Sequence, residues 1–507
     1  MQKSKKVIRN TMYLYIRMFL TVLISLYSTR LILKGLGVSD FGIFNVVGGM
    51  IAMLNFLNSG MASATQRFLS YAHGEGSYSK LKSIFNNALM LHIIIGVLVI
   101  LILEILGLFV FNGVLNIDSD RISVAKSIFH FMVVSTFFTI VSVPYDSVLN
   151  SNENMLFDAL LGIVESFFKL LIALYVLNTS FEKLYMYGLL TAIMTILILC
   201  IRIVYCHIKY EEVDVNIKKY FDKLQFNEML KFAGWGFLGS IMAVINNQGK
   251  TIVVNIFFGT KINAAQGVAS QIVGQVGAFS NVLLKAINPV IVKSEGAGER
   301  FNSQNFSSTG SKLSFFLFLV FTVPLVLELP YFFSIWLDTV PEYAIEFCRI
   351  TLIMWTLGQL TIALTTSIMA TGKIKNYTLT QSLLSILPFI ITLYLFYKGY
   401  SPVSMYLTYF FVGFTSPITI LIYAKKLCGF SIKKYFSDVI FRGIAVALLM
   451  ILFSLIPFFL IEQGLLRIVL VTCVSTLTFI VSTYYFGLIN IEKELIRSLV
   501  KSKLKKY

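Results

Sequence analysis

The stretch SIMAVINNQGKTIVVNIFFGTKINAAQGVASQIVGQVGAFSNVLLKAINP, Ser240–Pro289, decides how the chain is read. By hydropathy it is two segments long enough to cross a bilayer, joined by a tight turn at Phe258-Gly259-Thr260-Lys261. Yet the first segment carries Asn246, Asn247, Gln248, Lys250 and Asn255, and the second carries Gln266, Gln271, Gln275, Asn281, Lys285 and Asn288. One Lys at the centre of a lipid-facing helix costs about 2.5–3.5 kcal/mol. Spans that hold this many polar groups are expected to point them at water or at a ligand.

Outward from this hairpin the chain has the same character. Of its 507 residues 57% are hydrophobic and only 13% charged, against roughly 25% charged in soluble proteins. Apolar runs near the length of a span recur throughout, so the fold class is an all-α polytopic membrane protein of about 14 transmembrane helices. Continuous runs such as Leu89–Val110 exclude a β-barrel, whose strands alternate. The basic N-terminus, MQKSKKVIRN, leads into a long apolar run with no small-residue cleavage site, which reads as an uncleaved first span.

The net charge of +17 is distributed as topology requires, not as nucleic-acid binding requires. Alternate loops on one side hold roughly 27 Lys and Arg, those on the other roughly 6. The positive-inside rule then places both termini in the cytoplasm, and an even span count agrees. Membrane lipids, whose anionic headgroups suit the basic ends, are the expected partner; nucleic acid is not. The five cysteines show no metal-ligand spacing and are expected to stay reduced.

Two halves are expected. Residues 1–205 form an N-lobe of six spans, 206–229 a charged cytoplasmic linker, and 230–426 a C-lobe of six spans. Residues 437–490 hold two extra spans, and 491–507 form a basic tail. At an offset of about 220 residues, His73-Gly74-Glu75-Gly76 meets Ser294-Glu295-Gly296, and Asp146-Ser147-Val148 meets Thr366-Ser367-Ile368. An even number of spans per repeat makes the repeat parallel, related by an axis along the membrane normal.

The candidate site residues come from polar faces and intramembrane charge. On the eighth span Gln266, Ser270, Gly274, Gly277, Asn281, Lys285 and Asn288 recur at three- and four-residue steps. On the second span (41–66) Asn55, Asn58, Ser59, Ala62 and Gln66 do the same. With Asn247 these amides and hydroxyls are read as lining a cavity; the competing reading is helix–helix packing. Arg30, Arg67, Lys250 and Lys285 are the candidate cationic groups, with snorkelling to the interface as their alternative. Together they favour an anionic ligand. Asp146 and Glu104 are candidate sites for a coupling H+ or Na+, while Glu165 and Lys169, one turn apart, are expected to pair. No metal or other cofactor is expected. Gly249-Lys250-Thr251 imitates the end of a phosphate-binding loop, but Val stands at position 244 where the earlier glycine belongs.

The segment STRLILKGLGVSDFGIFNVVGGMIAMLNFLNSGMASATQRFLSYAHGEG, Ser28–Gly76, resembles bacterial polysaccharide exporters of the O-antigen flippase type. These belong to the multidrug/oligosaccharidyl-lipid/polysaccharide exporter (MOP) superfamily. The resemblance rests on a basic first span, on Leu36-Gly37-Val38-Ser39-Asp40-Phe41-Gly42, and on Gln66-Arg67-Phe68, and extends over about twelve spans. It implies a V-shaped pair of six-helix lobes and alternating access in the bacterial cytoplasmic membrane. The implied cargo is an undecaprenyl-diphosphate-linked oligosaccharide, an O-antigen or capsule repeat unit, flipped from the cytoplasmic to the periplasmic leaflet. Glycan polymerase machinery is an implied partner. Lipid II flippases, which also carry two extra C-terminal spans, and cation-coupled multidrug exporters of the same superfamily are the alternatives. A membrane-embedded glycan polymerase or glycosyltransferase is the alternative from another class, disfavoured by the lack of a large external loop or an acidic metal motif.

Overall fold

The computed structural model describes residues 2–52, 55–111, 120–337, 340–490 and 492–494. It is all-helical. Twelve of the described helices are long and apolar enough to cross a membrane, and a thirteenth span arises if the bent pair Ala344–Gln359 and Ile362–Ala370 is counted as one. This is a multi-pass membrane protein. The count falls short of fourteen at one place, the expected span 41–66. Residues 53–54 lie outside the described residues, and the helix that follows, α2 (Asn55–Glu75), is too rich in Asn, Ser, Gln and His to qualify.

The chain divides into two compact units. The first comprises Lys6–Ser240 and Gly296–Gly298. It holds α1 (Gln2–Ala52) from Lys6 onward, α2, α3 (Tyr78–Val110), α4 (Ile122–Ser151), α5 (Met155–Asn178), α6 (Lys183–Lys209), the short α7 (Ile217–Tyr220) and the start of α8 (Lys223–Gly296). α4 is its centre, packed on α2, α3, α5 and α6. Ile128, Val133, Ala173, Val176 and Leu184 fill the core between them. Away from that core the helices show the inverse of a soluble surface: Leu98, Leu101, Ile105, Leu108 and Phe109 of α3 are exposed, as a hydrocarbon solvent allows. α2 and the start of α8 approach to backbone contact, since a Cβ on Gly60 would stand 2.9 Å from the Phe237 nitrogen.

The segment after α6 is clasped to this unit. Asn86 donates to the Asp214 carbonyl (2.8 Å) and accepts from the Asn216 amide (3.0 Å). Asn87 does the same with Asp222 (3.0 and 3.4 Å). Both asparagines are fully buried, so each side chain replaces water for two backbone groups. Asn152 donates to Glu212 Oε1 at 2.7 Å, and His73 Nε2 lies 3.3 Å from the same oxygen. Burial pushes the Glu212 carboxyl up. The nearby His73 ring, the hydrogen bond from Asn152 and its own backbone outweigh that, and hold it below the usual carboxylate range. On Asp214, hydrogen bonds from Tyr220 and Lys82 lower the pKa in the same direction. The charged stretch read as a linker is therefore a strap with a fixed course.

The second unit comprises Ile241–Glu295 and Glu299–Tyr507, with Met1–Lys5. It holds the rest of α8, α9 (Arg300–Trp336), α10 (Ala344–Gln359), α11 (Ile362–Ala370), α12 (Lys375–Tyr397), α13 (Val403–Gly413), α14 (Thr415–Cys428), α15 (Ile432–Tyr435), α16 (Arg442–Leu460) and α17 (Leu465–Ser482). π turns follow α15 (Phe436–Phe441) and α17 (Thr483–Gly487). α9 is central, packing on α10, α11, α16 and α17. Two ion pairs join it to the last helices. Arg467 of α17 places Nε 2.9 Å from Glu328 Oε1, and Lys312 donates to Glu492 Oε2 at 2.7 Å. Glu328 and Lys312 are each 1% exposed.

The internal repeat is visible in the backbone. α1 is broken at Gly37 (φ 79°, ψ 171°) and α8 at Gly259 (φ 76°, ψ −173°), a conformation open essentially only to glycine. Gly76 (φ 73°) and Gly298 (φ 72°) form a second pair. In both pairs the glycines are 222 residues apart, so the backbone sets Gly76 against Gly298, two positions beyond the Gly296 that the sequence matches set against it.

Candidate functional site

The part of α8 beyond Gly259 is mostly buried, and its exposed positions are unlike those of the other spans. Gly267, Ser270, Gln271, Gly274, Gln275 and Asn281 are exposed, with Ala278 and Lys285 half-buried along the same line. From Ile262 to Glu295 no large apolar side chain is exposed among the described residues. Steps of three and four residues put these groups on one face, while Ala265, Ala269, Ile272, Val273, Val276, Leu283 and Ile287 turn inward. Every exposed position of this face is an amide, a hydroxyl or a glycine.

This face is rotated slightly from the one read in the sequence. Ser270, Asn281 and Lys285 lie on it. Gln266 is buried and donates to Thr251 Oγ1 at 3.0 Å, bracing the hairpin. Asn288 is half-buried, and its Oδ1 accepts from Thr366 at 3.0 Å. Gln271 and Gln275 take the exposed places instead. Both stand in the quoted hairpin, and only the packing partners reveal which amides stay open.

Lys250 belongs to the other arm of the hairpin. Its Nζ sits 4.0 Å from the centre of the Tyr409 ring, a cation–π contact with α13. The Tyr409 hydroxyl donates to Asn246 Oδ1 at 3.0 Å, which fixes the ring under the ammonium. Among the described residues Lys250 forms no ion pair. The side chain of Asn247 lies outside the described residues.

In the first unit Arg67 stacks its guanidinium against Phe68 (4.6 Å), Tyr71 (4.9 Å) and Phe232 (5.4 Å). Gln66 is half-buried beside it, and Arg30 is exposed on α1. The side chains of Asn55 and Asn58 lie outside the described residues. Both candidate coupling acids have basic partners. Asp146 accepts from Arg202 Nη1 at 2.9 Å, and Glu104 Oε1 lies 3.0 Å from His130 Nδ1. Glu165 pairs with Lys169 at 2.7 Å, and Asp158 with Arg17 at 2.6 Å. Arg202, Arg467 and Lys312 are partners that hydropathy alone does not reveal. The five cysteines are free, and no group of residues suited to a metal ion exists among the described residues.

Comparison with known proteins adds the following. The MatE family model matches residues 14–175. No curated protein is similar in sequence. Among solved structures, a multidrug resistance MATE family transporter of the MOP superfamily, in its outward-facing conformation, aligns with a TM-score of 0.72 at 13% identity, over 84% of this chain and 96% of that one. A MATE structure in the straight conformation gives 0.72 at 12% identity, with the same coverage. A MOP superfamily transporter from Pyrococcus furiosus, described as having a binding pocket of reverse polarity that suggests a different function, gives 0.71 at 14%, again over 84% and 96%. The chain has the fold of the MATE transporters of the MOP superfamily.

Proposed function

We propose that the protein is a transporter that carries an undecaprenyl-diphosphate-linked oligosaccharide across the bacterial cytoplasmic membrane, from the cytoplasmic to the outer leaflet, by alternating access. The observation that carries this reading is the exposed face of α8. It offers Ser270, Gln271, Gln275 and Asn281 for hydrogen bonds, and Lys285 as its charge. It holds no acid, and Glu104, Asp146, Asp158, Glu165 and Glu328 each face a basic side chain elsewhere. A diphosphate with sugars needs cations and amides in a wet setting. A lipophilic cation needs an unpaired carboxylate, and this face has none.

A second reading has its own support. The likeness to a multidrug resistance MATE transporter favours a cation-coupled multidrug exporter. Deleting the gene separates the two. The flippase reading predicts that a lipid-linked glycan accumulates on the cytoplasmic leaflet while surface glycan falls. Unchanged surface glycan with heightened sensitivity to cationic dyes supports the exporter instead.

A further inference from the structure

Two helices of the second unit are interrupted beside one another. α10 and α11 meet at Leu360–Thr361 with a bend of 44°, and α13 gives way to α14 at Phe414, directly after Gly413. Both interruptions fall near the middle of their spans, Ala344–Ala370 and Val403–Cys428. Between them lies a cavity of about 300 Å³, walled by Trp355, Leu357, Gly358, Phe410, Phe414 and Ile420. That is room for roughly ten water-sized groups.

Water has little reason to fill it. Gln359, at its edge, accepts from Ser280 (2.7 Å) and donates to the Trp355 carbonyl (3.3 Å). Ser416 donates to Gln381 (2.8 Å). Thr361 donates to the Gly358 carbonyl at 3.5 Å. With its polar edge turned to protein partners, the cavity offers water few hydrogen bonds and suits a hydrocarbon. Of its walls, Trp355 and Phe414 are exposed. The exposed neighbours on the same helices are Ile353, Leu407, Phe411 and Ile418, the surface that meets lipid tails.

One contact joins this cavity to the polar face. Ser280, which bonds Gln359, directly precedes Asn281 on α8. The apolar cavity and the open amide face thus share a wall one helix thick, about 10 Å. We propose that the cavity receives the polyprenyl chain of the lipid-linked substrate while its diphosphate and sugars lie along Ser270–Lys285. The inference rests on the flippase reading for the identity of the head, and on the cavity alone for the place of the chain.

Gly358 supplies the test. It is helical, it lines the cavity, and a Cβ built on it meets nothing within 4 Å, so Gly358→Leu has room at its Cβ and occupies part of the cavity. The full chain is placed in phosphatidylcholine/phosphatidylglycerol nanodiscs with a polyprenyl diphosphate bearing a diazirine on its chain. After illumination the labelled peptides are mapped. Labelling of 354–362 and 410–420 is expected, lowered at least five-fold by Gly358→Leu and by excess unlabelled polyprenyl diphosphate, but not by added phosphatidylglycerol. Gly413→Leu, whose Cβ meets only the Met354 side chain, at 3.7 Å, serves if the first variant does not fold. Equal competition by phosphatidylglycerol overturns the proposal in favour of a bilayer acyl chain, and labelling unaffected by either filling variant overturns it outright. Translocation of the same probe is measured in parallel. Cavity labelling without translocation removes the flippase reading and leaves the site, whereas translocation without cavity labelling removes the site alone.

Discussion

Glu328→Gln is the perturbation whose cost follows most directly from the geometry. The Glu328 carboxylate is 1% exposed on the side chain, and Arg467 12%. Nη2 donates to Oε2 at 3.1 Å, the one hydrogen bond of the pair, and Nε lies 2.9 Å from Oε1 without bonding it. Removing one partner of a buried pair typically costs about 3–5 kcal/mol, because it strands the other charge. Arg467 also lies over the Phe458 ring, 4.7 Å away, and a cation–π contact of about 0.5–2 kcal/mol does not replace a carboxylate. The single variant should therefore lose about 3–5 kcal/mol. If the second unit melts like a domain of similar size, this lowers Tm by roughly 6–20 °C. Replacing both partners, Glu328→Gln with Arg467→Met, should recover most of the loss, since no charge is then left unpaired. The assay is thermal unfolding of purified protein in detergent, with hydrogen exchange on α16 and α17. A single variant within about 1 kcal/mol of the parent refutes the reasoning. So does a double variant that is worse than the single one.

Three further outcomes are expected. Glu212 has a depressed pKa in the folded state, so its stabilisation is present above the ordinary carboxylate pKa and is lost as pH falls through the lower folded value. The Tm gap between the parent and Glu212→Gln should thus be widest at neutral pH and close below about pH 4; a gap that widens on acidification contradicts the pairing. Gly60→Leu forces a side chain into the Phe237 backbone and should cost about 1–3 kcal/mol or more, read as a lower Tm and weaker protection of α2 against exchange. Lys250→Ala or Arg30→Ala should lower transport without removing the protein from the membrane, and normal transport by both variants would show that neither cation serves the ligand.

The helical, many-span fold was legible because a bilayer imposes one length and one polarity, which composition reports without tertiary knowledge. The approximate offset of a repeat was legible, but its register was not, since the matched residues set Gly76 against Gly296 and the backbone sets it against Gly298. The glycines of Leu36-Gly37-Val38 and Phe258-Gly259-Thr260 sit where only glycine can adopt the observed backbone, so steric necessity wrote the offset into the sequence. The bend at Leu360–Thr361 was not visible, because an apolar run of the right length reads the same straight or broken. Nor were the pairings. Glu328 and Arg467 are 139 positions apart, and Lys312 sits in the Ser- and Asn-rich start of α9, which hydropathy reads as loop although the helix begins at Arg300. Periodicity alone points to the polar face of α8, but the exposed face is turned from it by about half a residue's turn, roughly 50°. Gln266 and Gln271 are chemically alike, and only Thr251, reached across the hairpin, distinguishes the braced amide from the open one.

The central claim is that the open face of α8 carries a polar, anionic lipid headgroup. It is tested most directly in proteoliposomes holding the purified chain and a fluorescent undecaprenyl-diphosphate-linked oligosaccharide, with a membrane-impermeant quencher reporting the leaflet of the fluorophore. The account predicts protein-dependent translocation that falls at least ten-fold in Asn281→Ala/Lys285→Met, in protein that still folds and inserts. Translocation at the parent rate in that variant would contradict it, as would the uptake of a cationic dye with no movement of the glycan lipid.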